Sequence, residues 1–222
     1  PWISLFVVTT FLLALTVGKL LGVDKKLSYL LASGTAICGG TAMVAVAPSI
    51  RAKPEDLITA MSIIFILNAL AVILFPFIGS WIGLSQLEFG SWVALAIHDT
   101  ASVIGSASIF GEEAVEVATT LKLGRTLWIV PLVLFSAWYF RHKSSRIGFP
   151  LFILFFSLAV VLNSLLSPSD ETNNLLKGIN KTLLLTGLFC IGSQIDQSAI
   201  KLISLKPLLL AVVVWLIVIK AS

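Results

Sequence analysis

Ser33-Gly34-Thr35-Ala36-Ile37-Cys38-Gly39-Gly40-Thr41 interrupts an otherwise apolar run from Leu27 to Ile50. Three glycines and two threonines stand where a lipid-facing helix would carry bulk. Glycine weakens a helix, and backbone N–H and C=O groups freed at membrane depth persist only where they face protein or a wet cavity. Such breaks are where secondary transporters hold their solutes. The alternative is close helix packing through small residues, for which Gly34 with Cys38 is a poor pair and Gly40 with Val44 a fair one. The density of glycine beside polar residues favours a break. Its flanking halves, near Leu27–Ser33 and Thr41–Ala47, are each about two turns long at ~1.5 Å per residue, so neither crosses a bilayer alone. The backbone between Ser33 and Thr41 is therefore expected to be non-helical. A half-helix N-terminus near Gly40 should face a cavity, where backbone N–H groups and the helix dipole suit an anion.

Composition supports a membrane setting. Of the 222 residues, 58% are hydrophobic and only 12% charged, against about 25% charged in an ordinary soluble domain. The net charge of +4 is scattered through short loops, so it flanks membrane segments and does not form a nucleic-acid face. Cys38 and Cys190 lie in apolar surroundings and read as small core residues, which leaves neither a disulfide framework nor a metal site. No nucleophile stands at useful spacing from a base, and no phosphate loop or HExxH motif is present, so the chain does not read as an enzyme and calls for no cofactor. It starts at Pro1 and stops just after a short apolar run, as expected of a piece of a longer protein. Nothing at its start resembles a signal peptide, so Trp2 onward reads as a resident helix.

A bilayer core of about 30 Å needs roughly 20 apolar residues per helix. Trp2–Gly22 meets that, with Lys19, Lys25 and Lys26 at its end. After the interrupted segment, which Pro48 is expected to close, Lys53-Pro54-Glu55-Asp56 opens a helix: proline sits where its missing N–H is harmless and acids where the dipole favours them. Leu57 to about Gly79 then crosses. Ser85-Gln86-Leu87-Glu88 has the form of a capping box, so a helix should start near Gln86, run through Trp92 and Ala96, and carry His98 and Asp99 near its middle. Glu112–Phe140 is helical in pattern but too long for one straight crossing, with kinks expected at Gly124 and Pro131. Beyond the basic loop at Arg141, His142, Lys143 and Arg146 come Phe149–Leu166, a polar turn at Pro168–Asn174, a span at Leu175–Ile195 and a short apolar run, Leu208–Ile219, opened by Pro207. The count is seven or eight membrane segments in one transmembrane domain, 1–222. The fifteen Lys and Arg residues divide almost evenly between the two sides; the densest basic loop, around Arg141, is placed in the cytoplasm.

His98 and Asp99 are an adjacent ionisable pair within an expected membrane span, where charge is expensive and by default functional. With Ser102, Gly105 and Ser106 on neighbouring helical positions they form a polar stripe. Two readings stand: a hydrogen-bonded lock between helices, or a group that handles solute or protons, histidine being the side chain that titrates near neutral pH. Lys122 and Arg125, three apart on one helix face, either complete an anion site or mark a helix end at the headgroups, the second being favoured. Asn68 and Asn163 read as interhelical hydrogen bonds.

Gly34-Thr35-Ala36-Ile37-Cys38-Gly39-Gly40-Thr41-Ala42, then Ala47-Pro48, Glu55-Asp56, Phe89-Gly90-Ser91-Trp92, Ala96-Ile97-His98-Asp99-Thr100-Ala101-Ser102-Val103 and Lys122-Leu123-Gly124-Arg125 together resemble the YeiH-like sulfate exporter family of bacterial inner-membrane proteins. The resemblance runs through most of the chain. It implies a fold of the cation/proton antiporter and anion transporter superfamily, with inverted repeats and discontinuous helices meeting near the midplane, and further N-terminal helices in the full-length protein. The resulting expectation is an all-α, multi-pass secondary transporter of the bacterial inner membrane. Its solute is a small anion such as sulfate or a related oxyanion or sulfonate, with proton or sodium coupling and a homodimer both compatible with the reading. Solute contacts would come from Thr35, Cys38, Gly39, Gly40, Thr41, His98, Asp99 and Ser102, with Lys122 and Arg125 as further anion contacts. A non-transporting membrane sensor or scaffold is the alternative.

Overall fold

The computed structural model describes residues 2–140 and 204–222 and, between them, a few single positions. Among the described residues the protein is all-helical. The helices are α1 (Trp2–Leu20), α2 (Lys25–Ala36), α3 (Gly40–Ile50), α4 (Pro54–Trp81), α5 (Gln86–Ala96), α6 (Thr100–Phe110), α7 (Glu112–Thr126), α8 (Ile129–Tyr139) and α9 (Leu205–Ala221). Among the described residues, three stretches are long and apolar enough to cross a membrane: Trp2–Leu20, Pro54–Trp81 and Glu112–Tyr139. The segments expected at Phe149–Leu166 and Leu175–Ile195, with Asn163 and Cys190, lie outside the described residues.

α4 shows what its surroundings must be. Ala60, Ile63, Ile64, Leu67, Ala71 and Phe75 recur at three- and four-residue spacing and are buried. The other side, with Leu70, Ile73, Leu74, Phe77 and Trp81, is exposed and equally apolar. One face thus packs on protein while the other suits lipid, not water. The helix opens as its sequence requires, on Pro54 at the first turn with Glu55 and Asp56 beside it. α5 opens on the complete capping box: the Ser85 hydroxyl accepts from Glu88 N at 3.3 Å, and the Glu88 carboxylate accepts from the Ser85 amide at 2.9 Å. The Ser85 amide and hydroxyl, both donating to it, hold the exposed Glu88 carboxyl below its ordinary range, so the cap is present at neutral pH and lost as pH falls through that lowered value.

Four sequence expectations are corrected. The first break is narrower than Ser33–Thr41: α2 continues to Ala36 and α3 begins at Gly40, leaving only residues 37–39 outside a helix. Pro48 does not close the segment but lies inside α3, which ends three residues later on Arg51 in the left-handed conformation (φ 50°). A proline in the last turn removes only one helical bond, which the end of a helix tolerates. Gly124 makes no kink and sits within α7; the interruption falls at Leu127–Trp128, four and three residues ahead of Pro131. There the proline can neither bond nor clear the Leu127 carbonyl, and tighter bonds replace the helical ones, Trp128 N to Arg125 O at 3.0 Å and Val130 N to Leu127 O at 3.3 Å. Finally, His98 and Asp99 are not mid-helix. α5 stops at Ala96, the chain extends through Ile97 (ψ 140°), and Asp99 is the N-cap of α6.

The fold therefore holds two broken segments, α2–α3 and α5–α6, whose four pieces of 11 or 12 residues each rise about 16–18 Å, half a bilayer core. α2 is the innermost: every residue from Leu27 to Ala36 is buried. It packs on α1, α3, α4 and α9, while α5 and α6 both lie against α7. α5 and α7 approach so closely that a Cβ on Gly90 would stand 2.6 Å from the Ala114 carbonyl oxygen. A Gly90→Ala substitution is expected to push these helices apart and cost about 1–3 kcal/mol. Gly124→Ala, whose added Cβ would meet only Ile3 Cδ1 at 3.5 Å, should instead hold or gain up to ~1 kcal/mol of helix propensity. Thermal unfolding in lipid nanodiscs checks both, as a lowered midpoint for the first variant and none for the second.

Candidate functional site

The two breaks touch. Gly39, held at φ 67° and ψ −130° where a side chain would be strained, lies against Asp99, so that a Cβ there would stand 3.3 Å from Asp99 Cβ. A helix ending inside protein leaves its last four carbonyls without helical partners, and buried carbonyls must find others. Each end here can be accounted for in full. At the end of α2, Ser33 O accepts from Ile37 N at 3.2 Å and Gly34 O from Gly39 N at 2.8 Å, while Thr35 O and Ala36 O both accept from Arg125 Nη2 at 2.9 Å. At the end of α5, Val93 O accepts from Ile97 N at 3.0 Å. Ala94 O and Leu95 O accept from Arg125 Nη1 at 2.8 and 2.7 Å, and Ala96 O from Trp215 Nε1 at 2.9 Å. Ile97 O, in the break itself, accepts from Lys122 Nζ at 2.6 Å, with Ala94 O at 3.4 Å from the same nitrogen.

Arg125 thus clips together the C-terminal ends of two broken helices with the two nitrogens of one planar fork. Lys122 and Arg125 are both 0% exposed, so neither marks a headgroup boundary as their sequence setting suggested. Each helix end carries roughly half a negative charge, so the two ends together offset about one unit of the positive charge on Lys122 and Arg125. The guanidinium also lies over the Phe6 ring, 5.4 Å from its centroid. Both terminal nitrogens of Arg125 and the Lys122 ammonium are engaged by carbonyl oxygens, while Arg125 Nε has no partner among the described residues; this leaves less of either side chain for a solute than an anion-contact reading supposes.

The N-terminal ends differ. On α6, Asp99 Oδ1 accepts from Ser102 N at 2.8 Å, an ordinary N-cap. On α3, the cap residue is Gly39, which has no side chain to bond the first turn, and the thiol of the preceding Cys38 lies beside Thr41 and Ala42. Gly40 is buried with Met61 and Phe65 nearest, and Thr41 is exposed. An apolar groove between α1 and α8 reaches this break at Ile37, lined also by Val7, Phe11, Trp128 and Leu132. Asn68 of α4 joins the pair opposite: its amide nitrogen donates to Asp99 Oδ2, and its Oδ1 accepts from the His98 backbone N–H at 3.1 Å and lies 3.0 Å from His98 Nδ1.

Of the sequence candidates, Gly39, Asp99 and Ser102 meet at the crossing with His98. Thr35 contributes its carbonyl, Cys38 is a buried free thiol, and Thr41 sits on the exposed side. Asn68 makes the interhelical bond expected of it, though nothing in the sequence pointed to His98 and Asp99 as its partners. Trp215 gave no sequence signal at all, since its indole serves a carbonyl more than a hundred residues away. The second break was readable in part: Asp99-Thr100-Ala101-Ser102 is an N-cap sequence.

The family model described as conserved hypothetical protein 698 matches residues 2–211. The chain belongs to that family. It is 41% identical over 214 residues to a UPF0324 membrane protein of Bacteroides thetaiotaomicron, covering 96% of this chain and 65% of the relative. To a UPF0324 membrane protein of Photobacterium profundum it is 45% identical over 197 residues, covering 89% and 60%. To one of Vibrio vulnificus it is 40% identical over 224 residues, covering 97% and 72%. The chain spans less than two thirds of the length of the first two. No solved structure matches it. Family membership and the apolar helices agree that this is a membrane protein.

Removing the clip should be costly. Arg125→Met strands the buried carbonyls of Thr35, Ala36 and Leu95 and leaves Ala94 O only its 3.4 Å contact with Lys122; each carbonyl without a donor costs about 1–3 kcal/mol, so the variant should yield little folded protein. Arg125→Lys, a point donor that cannot span both helix ends, should fold with a clearly lowered unfolding midpoint, and Lys122→Met should fall between them. Size-exclusion profiles and unfolding midpoints in detergent measure the order; equal stability of Arg125→Lys and the unaltered protein would contradict the bridging role.

Proposed function

We propose that the protein is a secondary transporter that moves a small anion, such as sulfate or a related oxyanion or sulfonate, across the bacterial inner membrane by alternating access. The observation that carries the reading is the meeting of two helix breaks at buried depth. The C-terminal ends are neutralised by Arg125 and Lys122, and the α3 N-terminus beside Asp99 has no side-chain cap. Structural helices seldom break twice at one point, because each break exposes backbone that must be satisfied again. Transporters use such breaks to hold a solute on backbone dipoles near the midplane.

In this reading α2–α3 and α5–α6 are the discontinuous helices of an inverted-repeat, multi-pass fold of the cation/proton antiporter and anion transporter superfamily, with seven or eight membrane segments in this chain. The α3 N-terminus, around Gly39, Gly40 and Thr41, supplies N–H groups to the anion. Asp99, the one acid among the described residues at the crossing, is the group assigned to couple flux to protons or sodium, and His98 and Ser102 flank it. A homodimer is compatible with this reading, and no catalytic role is assigned to any residue. A sensor or scaffold remains the second reading because Asp99 and Asn68 are well bonded where they stand, as a purely structural lock would be.

Reconstitution into proteoliposomes decides between them. Saturable sulfate or sulfonate flux that responds to an imposed pH or sodium gradient is expected, and Asp99→Asn should reduce it at least tenfold while leaving the protein folded. A folded protein that moves none of sulfate, sulfonates, carboxylates, sodium or protons would favour the sensor or scaffold.

A further inference from the structure

The hydrogen bonds around Asn68 fix more than a contact. The His98 backbone N–H can only donate, so the Asn68 side-chain atom 3.1 Å from it must be the amide oxygen. The other amide atom meets an oxygen of the Asp99 carboxylate, which accepts, so it must be the nitrogen. The amide orientation is therefore set twice, by independent partners. The same oxygen lies 3.0 Å from His98 Nδ1, which can bond it only by carrying a proton. In the neutral ring that leaves Nε2 as a bare lone pair.

Nε2 has no hydrogen-bond partner among the described residues, although His98 is only 1% exposed. The nearest candidate donor on α9 is committed elsewhere. The Trp215 ring centroid is 6.3 Å from that of His98, but its N–H is given to Ala96 O. A buried acceptor without a donor costs about 1–3 kcal/mol, and free imidazole prefers the opposite tautomer, with the proton on Nε2. Something must hold the ring against that preference, and Asn68 is the only group seen to do so among the described residues.

We propose that Asn68 is the positioning residue of the crossing: it locks His98 in the Nδ1–H tautomer and so presents Nε2 as a hydrogen-bond acceptor for a donor that no described residue supplies, an O–H or N–H of water or solute. This deepens the transporter reading by naming the acceptor at its site, yet its test needs no flux. The chain has two histidines, so a His142→Gln background leaves His98 alone, and nitrogen-15 NMR of histidine-labelled protein in nanodiscs reads its two ring nitrogens directly. At a pH where the ring is neutral, Nδ1 should resonate as a protonated nitrogen and Nε2 as an unprotonated one. Asn68→Leu should revert the ring to the Nε2–H form or to a mixture. Should Asn68→Leu fail to fold, the spectrum of the unaltered site still decides the tautomer. A protonated Nε2 with a bare Nδ1 in that spectrum would overturn the proposal, as would a folded Asn68→Leu variant whose tautomer is unchanged. Loss of flux with the tautomer as stated would count against the transport reading and leave this assignment standing.

Discussion

One guanidinium bridges two helix ends, and the rest of the site depends on it. Arg125 reaches Thr35 and Ala36 with one terminal nitrogen and Ala94 and Leu95 with the other, so α2 and α5 stop where they do because their last carbonyls have somewhere to go. Without such a partner a helix must either continue or unravel towards water, and neither is open to a chain buried among other helices. Lysine in the same place would supply charge but not the fork. This also explains why the first break is only three residues wide: satisfied carbonyls let α2 remain helical to Ala36, past Ser33 and Gly34.

Once both C-terminal ends are fixed, the opposite ends follow. α3 must restart within a few residues, which needs Gly39 in a conformation a side chain resists, and that glycine gives Asp99 room to lie against it. Asp99 then caps α6 and holds Asn68, which holds His98. The sequence of dependence runs from α7 through two helix ends to a polar cluster on α4 and α6. Aromatic rings pack beside it, with Phe75 stacked on Trp92 at 4.4 Å and on Trp215 at 5.9 Å. In such surroundings a hydrogen bond is strengthened and a missing one is costly.

The first break was legible because glycine and threonine clustered where bulk was due, and α4 and the capping box were legible because their start signals are local. The second break was hidden by its apolar flank: Leu95-Ala96-Ile97 reads as helix, and only the cap sequence at Asp99 argued otherwise. Lys122 and Arg125 misled for a general reason. Paired cations near a charged helix start usually meet headgroups, and the carbonyls that bury them belong to residues about 25 to 90 positions away. No local pattern reports a partner at that separation. Pro131 was a fair warning of a kink, whereas Gly124 was not, since glycine permits a bend but proline compels one.

The proposed solute site is the crossing of the two breaks, and Cys38 sits in the first of them at 3% exposure. The chain has two cysteines, so Cys190→Ala makes Cys38 a single reporter. Its labelling by a small, water-soluble, membrane-impermeant thiol reagent in native vesicles of both orientations is the most direct measurement. Slow labelling through one face is expected as the protein samples its open state, slowed further by saturating sulfate or a sulfonate. Labelling from neither face in folded protein, or a rate indifferent to every anion tried, would contradict that site.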